Sequence, residues 1–172
     1  KNYKKINSNE NILYNNILLL SRNKVFYTKL KLNDTFQNRI NLIFIHVSFL
    51  FIKIKHKNKK KVYKKFFQSM FDLIFDKVEL NMREIGYGDV TVNKNMKFLV
   101  KTFYNILLNC ENFNNKSRND KILFLTKYLE QANINKNSDN DDLLNYFTKY
   151  HSFCLDLTSD SVLNGGFNFN YK

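Results

Sequence analysis

The apolar positions of this chain fall in runs that keep a helical beat. Phe66, Phe67, Met70, Phe71, Ile74, Phe75, Val78, Met82 and Ile85 recur at steps of three, four and one, the spacing that lays a stripe along one side of a 3.6-residue repeat. Asp72, Asp76, Glu79 and Arg83 keep the same rhythm on another side. Met96, Leu99, Val100, Phe103 and Leu107 form a second stripe, and between the two lies Gly86-Tyr87-Gly88-Asp89, in a chain with only four glycines. Gly86 falls where helices commonly end in a left-handed residue. The pattern predicts a helical hairpin with a tight glycine corner, at which neither Gly86 nor Gly88 tolerates a side chain.

The most apolar stretch, residues 40–54, is shorter than the roughly 18 to 20 apolar residues of a membrane-spanning helix, and Asn41, His46 and Ser48 interrupt it. It reads as a buried central helix, hydrophobic nearly all round. Asp34 is its expected cap, with Gln37 three residues later as in a capping box. His46 is expected to be a core histidine with one hydrogen bond. Further on, residues 112–120 are an Asn-rich link, and Ile122, Leu123, Leu125, Tyr128 and Leu129 mark a short amphipathic helix. Residues 133–142 read as a polar loop in which Asp141 and Asp142 suit the first turn of a helix over 143–153. Residues 157–172 lose the period, so they either wrap the bundle or fray. The expectation is an all-α, single-domain bundle of about six or seven helices, with a core over about 13–155 and a tail over 156–172.

Composition narrows the chemistry. A chain of 172 residues, 44% apolar and 16% aromatic, is large enough to bury one core. There are 24 Lys against 4 Arg, with no Pro or Trp; this looks like coding bias, and it weakens the net charge of +13 as a pointer to partners. Against that background Arg22, Arg39 and Arg83 mark sites that need a planar fork, either in ion pairs between helices or on a partner. Arg118, in the Asn-rich link, supports no such inference. Cys110 and Cys154 are isolated and read as small core residues of a reducing compartment. His46, His56 and His151 lack ligand spacing. No phosphate-binding loop, nucleophile elbow or defensible carboxylate pair is present; Asp72, Asp76 and Glu79, beside Lys77 and Arg83, read as a salt-bridged face. The expected protein is not an enzyme and uses no cofactor, metal or small-molecule substrate.

The most basic segment puts Lys53, Lys55, Lys57, Lys59, Lys60, Lys61, Lys64 and Lys65 within thirteen residues. Two readings stand for it. One is a solvated loop inflated by the lysine bias; the other is docking, on RNA phosphates through counterion release or on an anionic membrane at about 1 kcal/mol per lysine. Lys57, Lys59, Lys60, Lys61, Lys64 and Lys65 are the candidate contacts.

Residues 68–72 (QSMFD) and 82–105 (MREIGYGDVTVNKNMKFLVKTFYN) resemble the signature of the ubiquinol-cytochrome c chaperone family: a Phe-Asp helix, then Leu-Arg-Glu-x-Gly-x-Gly-Asp, a short β-like link, a basic helix start and Phe-Tyr-Gly. Residues 17–35 resemble its N-terminal Arg, Phe-Tyr and Asp-Thr pattern. Residues 36–54 are similar to its Arg followed by an apolar His-containing helix, here Arg39 and His46. Residues 125–135 and 143–150 fit its C-terminal helices, and Gly165-Gly166-Phe167 its closing Gly and Phe. Most of residues 13–170 is covered. Asn93 stands where many members carry Pro, and Asn105 where Gly follows Phe-Tyr, departures that concern the start and the packing of one helix.

The resemblance implies an assembly factor of the respiratory cytochrome bc complex that binds newly made cytochrome b near the ribosomal exit site, with a small helical partner in some lineages. It places the protein on the matrix side of the mitochondrial inner membrane, or in the cytoplasm at the inner membrane face of a bacterium; the length favours the bacterial setting, although a mitochondrial presequence could precede Lys1. No secretory signal pattern is recognisable in the first twenty residues. An aromatic groove between helices would shield the apolar client. Its candidate residues are Tyr63, Phe66, Phe67, Phe98 and Tyr104, with Arg83, Glu84, Gly86, Gly88 and Asp89 at the corner. The alternative classes are a basic ribosome- or RNA-binding module and a helical scaffold that only holds a partner.

Overall fold

Between Phe36 and Lys55 a single helix runs through the middle of the molecule, with every residue from 40 to 52 buried. The computed structural model describes residues 8–55, 60–132 and 136–171, without the side chains of residues 136 and 137. Around the central helix, α3 (Phe36–Lys55), are packed α1 (Asn9–Ser21), α4 (Lys60–Ile85), α5 (Asp89–Glu111) and α7 (Lys136–Asp156). The short α2 (Val25–Thr28), a 3₁₀ turn (Phe113–Asn115), α6 (Arg118–Tyr128) and α8 (Ser159–Leu163) complete the order. The expected all-α bundle is therefore found, as six helices of 11 to 26 residues and two short ones among the described residues. One isolated bridge, Leu32 to Gln131, ties the segment before α3 to the segment after α6. None of the described helices is long and apolar enough to cross a membrane.

The start of α3 differs from expectation. Thr35 caps it, accepting the Asn38 N–H at 3.1 Å, because the helix begins one residue later than an Asp34 cap requires. Asp34 instead holds Arg39 through two parallel bonds of 2.7 and 2.9 Å, and this fork keeps its carboxyl below the usual range. Gln37 donates to Asn41 Oδ1 at 3.0 Å and so does not close a capping box. Buried Asn38 donates to the carbonyls of Asn33 and Glu130 and accepts from the Glu130 N–H, all at 2.8 Å. Three of its four bonding positions are thus filled, two of them by Glu130 in the segment joining α6 to α7.

The core is aromatic. Phe103, fully buried, meets Phe44 at 5.3 Å, Phe71 at 5.8 Å and Phe75 at 6.0 Å between ring centroids, within the range in which ring pairs add to area burial. His46 makes two hydrogen bonds rather than the expected one: Nδ1 lies 2.6 Å from the Leu42 carbonyl and Nε2 2.8 Å from the Tyr146 hydroxyl. A carbonyl only accepts, so Nδ1 carries the proton and Tyr146 donates to Nε2. One turn along α7, the Tyr150 hydroxyl donates to the His46 carbonyl at 2.8 Å. Cys110 and Cys154 are buried and free, and burial pushes both thiols up, Cys154 to about 12.

At the C-terminal end, α7 starts at Lys136, where a polar loop was expected as far as 142. Arg118 pairs with Asp141, and Gln131 Nε2 donates to the Asp139 carbonyl at 3.1 Å, so these polar first turns are held by α6 and the link. The tail wraps rather than frays. Phe169 packs 5.3 Å from Tyr150 and 5.1 Å from Phe153, and Tyr171 packs 4.9 Å from Tyr146. Gly165 sits with φ +78° beneath α1, where a Cβ would come within 2.9 Å of the Asn9 carbonyl.

Candidate functional site: the outer face of the α4–α5 hairpin

The corner joining α4 to α5 is built by its backbone. Gly86 has φ +104°; its N–H donates to the Arg83 carbonyl at 3.0 Å, and the Tyr87 N–H donates to the Met82 carbonyl at 3.1 Å. This pair of bonds is a Schellman cap, which needs a left-handed residue at the position Gly86 fills. Gly88 is different: it is the N-cap of α5 with φ −73° and ψ 163°, and nothing lies within 4 Å of an added Cβ. The expectation that Gly88 excludes a side chain is therefore corrected. Arg83 bridges the corner, pairing with Asp89 at the start of α5 and with Glu79 one turn back at 2.9 Å; the hydrogen bonds it donates to Asp89 and then to Glu79 raise its pKa. The cluster clamps the hairpin itself and stays exposed, as does Glu84.

Because the helices run antiparallel, the start of α4 lies beside the end of α5. Along the outside of this seam Tyr63, Phe67 and Phe71 follow at four-residue steps, with ring centroids 6.0 and 6.2 Å apart. Tyr104 of α5 joins the row 6.0 Å from Phe71. Tyr63, Phe67 and Phe71 are half-buried and Tyr104 is exposed. At one end they border a hollow of about 330 Å³ lined also by Lys55, Lys64, Gln68, Leu107 and Glu111. Partial burial, together with Glu111 and Tyr104 nearby, raises the Tyr63 pKa.

The expected groove residues thus separate. Tyr63, Phe67 and Tyr104 come together, and Phe71 and Leu107 complete the surface. Phe66 does not belong to it: only 4% exposed, it points into the core, 6.2 Å from Phe51, because on a helix the residue next to an outward-facing position is turned by about 100°. Phe98 is exposed but lies elsewhere, on a wide cleft of about 800 Å³ lined by Asn38, Asn41, Thr102, Tyr128 and Gln131. The four-residue aromatic step from Tyr63 to Phe71 was the available signal for Phe71.

Of the lysine candidates, Lys60, Lys61, Lys64 and Lys65 are exposed on the first turns of α4, so this part of the run is helical and not the loop of one of its two readings; Lys57 and Lys59 lie outside the described residues. Lys53 donates to the Leu155 carbonyl and Lys55 pairs with Glu111, so these two hold the bundle together. The third arginine, Arg22, lies with Arg39 and Glu84 at the rim of a separate hollow of about 290 Å³ between α1, α3 and α4. Among the described residues no cluster of three or more metal-ligating side chains occurs.

Residues 28–169 match the model of a family described as Ubiquinol-cytochrome C chaperone. No curated protein matches the chain. Among solved structures, the crystal structure of the Cbp3 homolog from Brucella abortus superposes with a TM-score of 0.79 over 95% of this chain and 89% of that one, at 20% sequence identity. At that identity the likeness establishes the fold.

Proposed function

The chain belongs to the ubiquinol-cytochrome c chaperone family, and from that premise we propose that it holds apolar segments of newly made cytochrome b on the outer face of its α4–α5 hairpin during assembly of the cytochrome bc complex. The supporting observation is the half-exposed row Tyr63, Phe67, Phe71 and Tyr104 beside the Leu107 hollow. Aromatic side chains offer a large contact area for few rotatable bonds and little demand on the sequence they meet, which suits a client held only until its own helices and heme arrive. The proposed role is binding without catalysis.

Lys60, Lys61, Lys64 and Lys65 put positive charge at the same end of the hairpin. In this reading they face ribosomal RNA at the exit site, where phosphate contacts give fast, salt-sensitive association. The setting is the matrix side of the mitochondrial inner membrane or the inner membrane face of a bacterial cell, and a small helical protein is the expected second partner.

The test is crosslinked capture from detergent-solubilised membranes with the full chain as bait. A Tyr63→Ser, Phe67→Ser, Tyr104→Ser variant should recover at least about fivefold less cytochrome b, the equivalent of about 1 kcal/mol of binding, with its helical signal unchanged. Leu123→Ser, at a residue of α6 that is 65% exposed, should recover as much as the parent. Full recovery by the triple variant removes the groove from the account.

A further inference from the structure

Helix α5 presents a second exposed face, which borders the aromatic seam at Tyr104. Its carboxylates are confined to its two ends, Asp89 and Glu111, and both are engaged, Asp89 by Arg83 and Glu111 by Lys55. Between them, Val90, Lys94, Lys97, Lys101 and Leu108 succeed one another at steps of four, three, four and seven, which places them along one crest of the helix, about 27 Å long at 1.5 Å per residue. All five are exposed, Val90 at 84% and Leu108 at 57%, and Phe98 at 59% flanks the row. None of the three lysines makes an ion pair among the described residues.

We propose that this crest lies on an anionic lipid surface, with Val90, Leu108 and Phe98 entering the interface while Lys94, Lys97 and Lys101 sit among the phosphate headgroups. The inference rests on the membrane-side location in the proposed function and names the surface that makes the contact. Charge complementarity selects an anionic partner, and a second copy of a chain with net charge +13 is repelled. The interleaved side chains select lipid over nucleic acid. Phe98 is the one ring of the three on which a base can stack; aliphatic Val90 and Leu108, at the two ends of the crest, offer none, whereas in a bilayer interface each gains by leaving water while the lysine stems reach past them to the phosphates.

The chain has no tryptophan, so Leu108→Trp provides a single fluorescent reporter on the crest. Its emission should shift to the blue with vesicles of phosphatidylcholine and phosphatidylglycerol, and stay in place with phosphatidylcholine alone. Lys94→Gln, Lys97→Gln, Lys101→Gln should partition onto the mixed vesicles roughly a hundredfold less at low salt, about fivefold per lysine, with unchanged helicity. An unmoved emission, or equal partition of the triple variant and the parent, overturns the proposal. So does a Lys60, Lys61, Lys64, Lys65→Gln variant that alone loses the vesicles, which assigns lipid to α4. Loss of RNA binding by the crest variant with no emission shift on vesicles assigns the crest to nucleic acid and overturns it as well. The vesicles contain no client, so failure here leaves cytochrome b capture standing, and failed capture with intact vesicle binding removes only the groove.

Discussion

At position 86 the backbone alone demands glycine. An added Cβ would meet nothing within 4 Å, yet φ is +104°, a region that β-branched residues essentially avoid. Two residues on, Gly88 has the same open space and an ordinary extended conformation. The two glycines of one motif therefore respond in opposite ways. Gly86→Val should destabilise by about 1 kcal/mol or more, lowering the melting temperature by about 2–4 °C per kcal/mol for a chain of this size. Gly88→Ser should be neutral or stabilising by a few tenths of a kcal/mol, since its Oγ can accept a free N–H of the first turn of α5. Thermal denaturation of both variants checks this, and equal losses at the two positions contradict the cap assignment.

Between elements, the junction of α3 with α7 is sensitive to pH through His46. Burial lowers the His46 pKa from 6.5 to about 4, because the ring has no water to solvate a second proton and Nε2 already accepts from Tyr146. The unfolded chain therefore binds more protons than the folded one across this window. Stability is fully present above pH 6.5 and is lost as pH falls through 4, by about 3 kcal/mol from this residue. Burial also lowers the His151 pKa, which adds in the same direction. Ring NMR of His46 during an acid titration should show a neutral imidazole down to about pH 4; protonation near 6.5 in the folded state refutes the buried pairing.

The same elements show what sequence can reveal. Residues 66–85 and 96–107 announced their helices because each buries one face, leaving a stripe at helical spacing. Residues 136–142 announced nothing: their first turns carry no large apolar side chain, and Arg118 and Gln131, from outside the helix, help to hold them. At α3 the expected cap, Asp34, misses by a single residue: Thr35 takes that position while Asp34 pairs with Arg39. At the site, Phe66 and Phe67 are adjacent in an aromatic run, and their opposite fates depend on the angle at which α4 packs. Phe98 and Tyr104 are both exposed on α5 and, six residues apart, stand about 120° from each other around it; which neighbours each meets is visible only once the other helices are placed.

For the whole molecule, the fold is shared with the Cbp3 homolog from Brucella abortus at 20% sequence identity, so the helical architecture persists through extensive change of sequence. The fold itself does not name the working surface. The α4–α5 seam is proposed for that role because its aromatic row stays half-exposed while comparable rings elsewhere, such as Tyr146 and Tyr150, are covered by the tail. Site-specific photocrosslinking during synthesis of cytochrome b tests that assignment most directly. With benzoylphenylalanine replacing Phe67 or Tyr104, adducts to cytochrome b are predicted, and with the same probe replacing exposed Leu123 or Leu155, none. Adducts from 123 and 155 alone, or from all four positions alike, would contradict a client seated on the α4–α5 face.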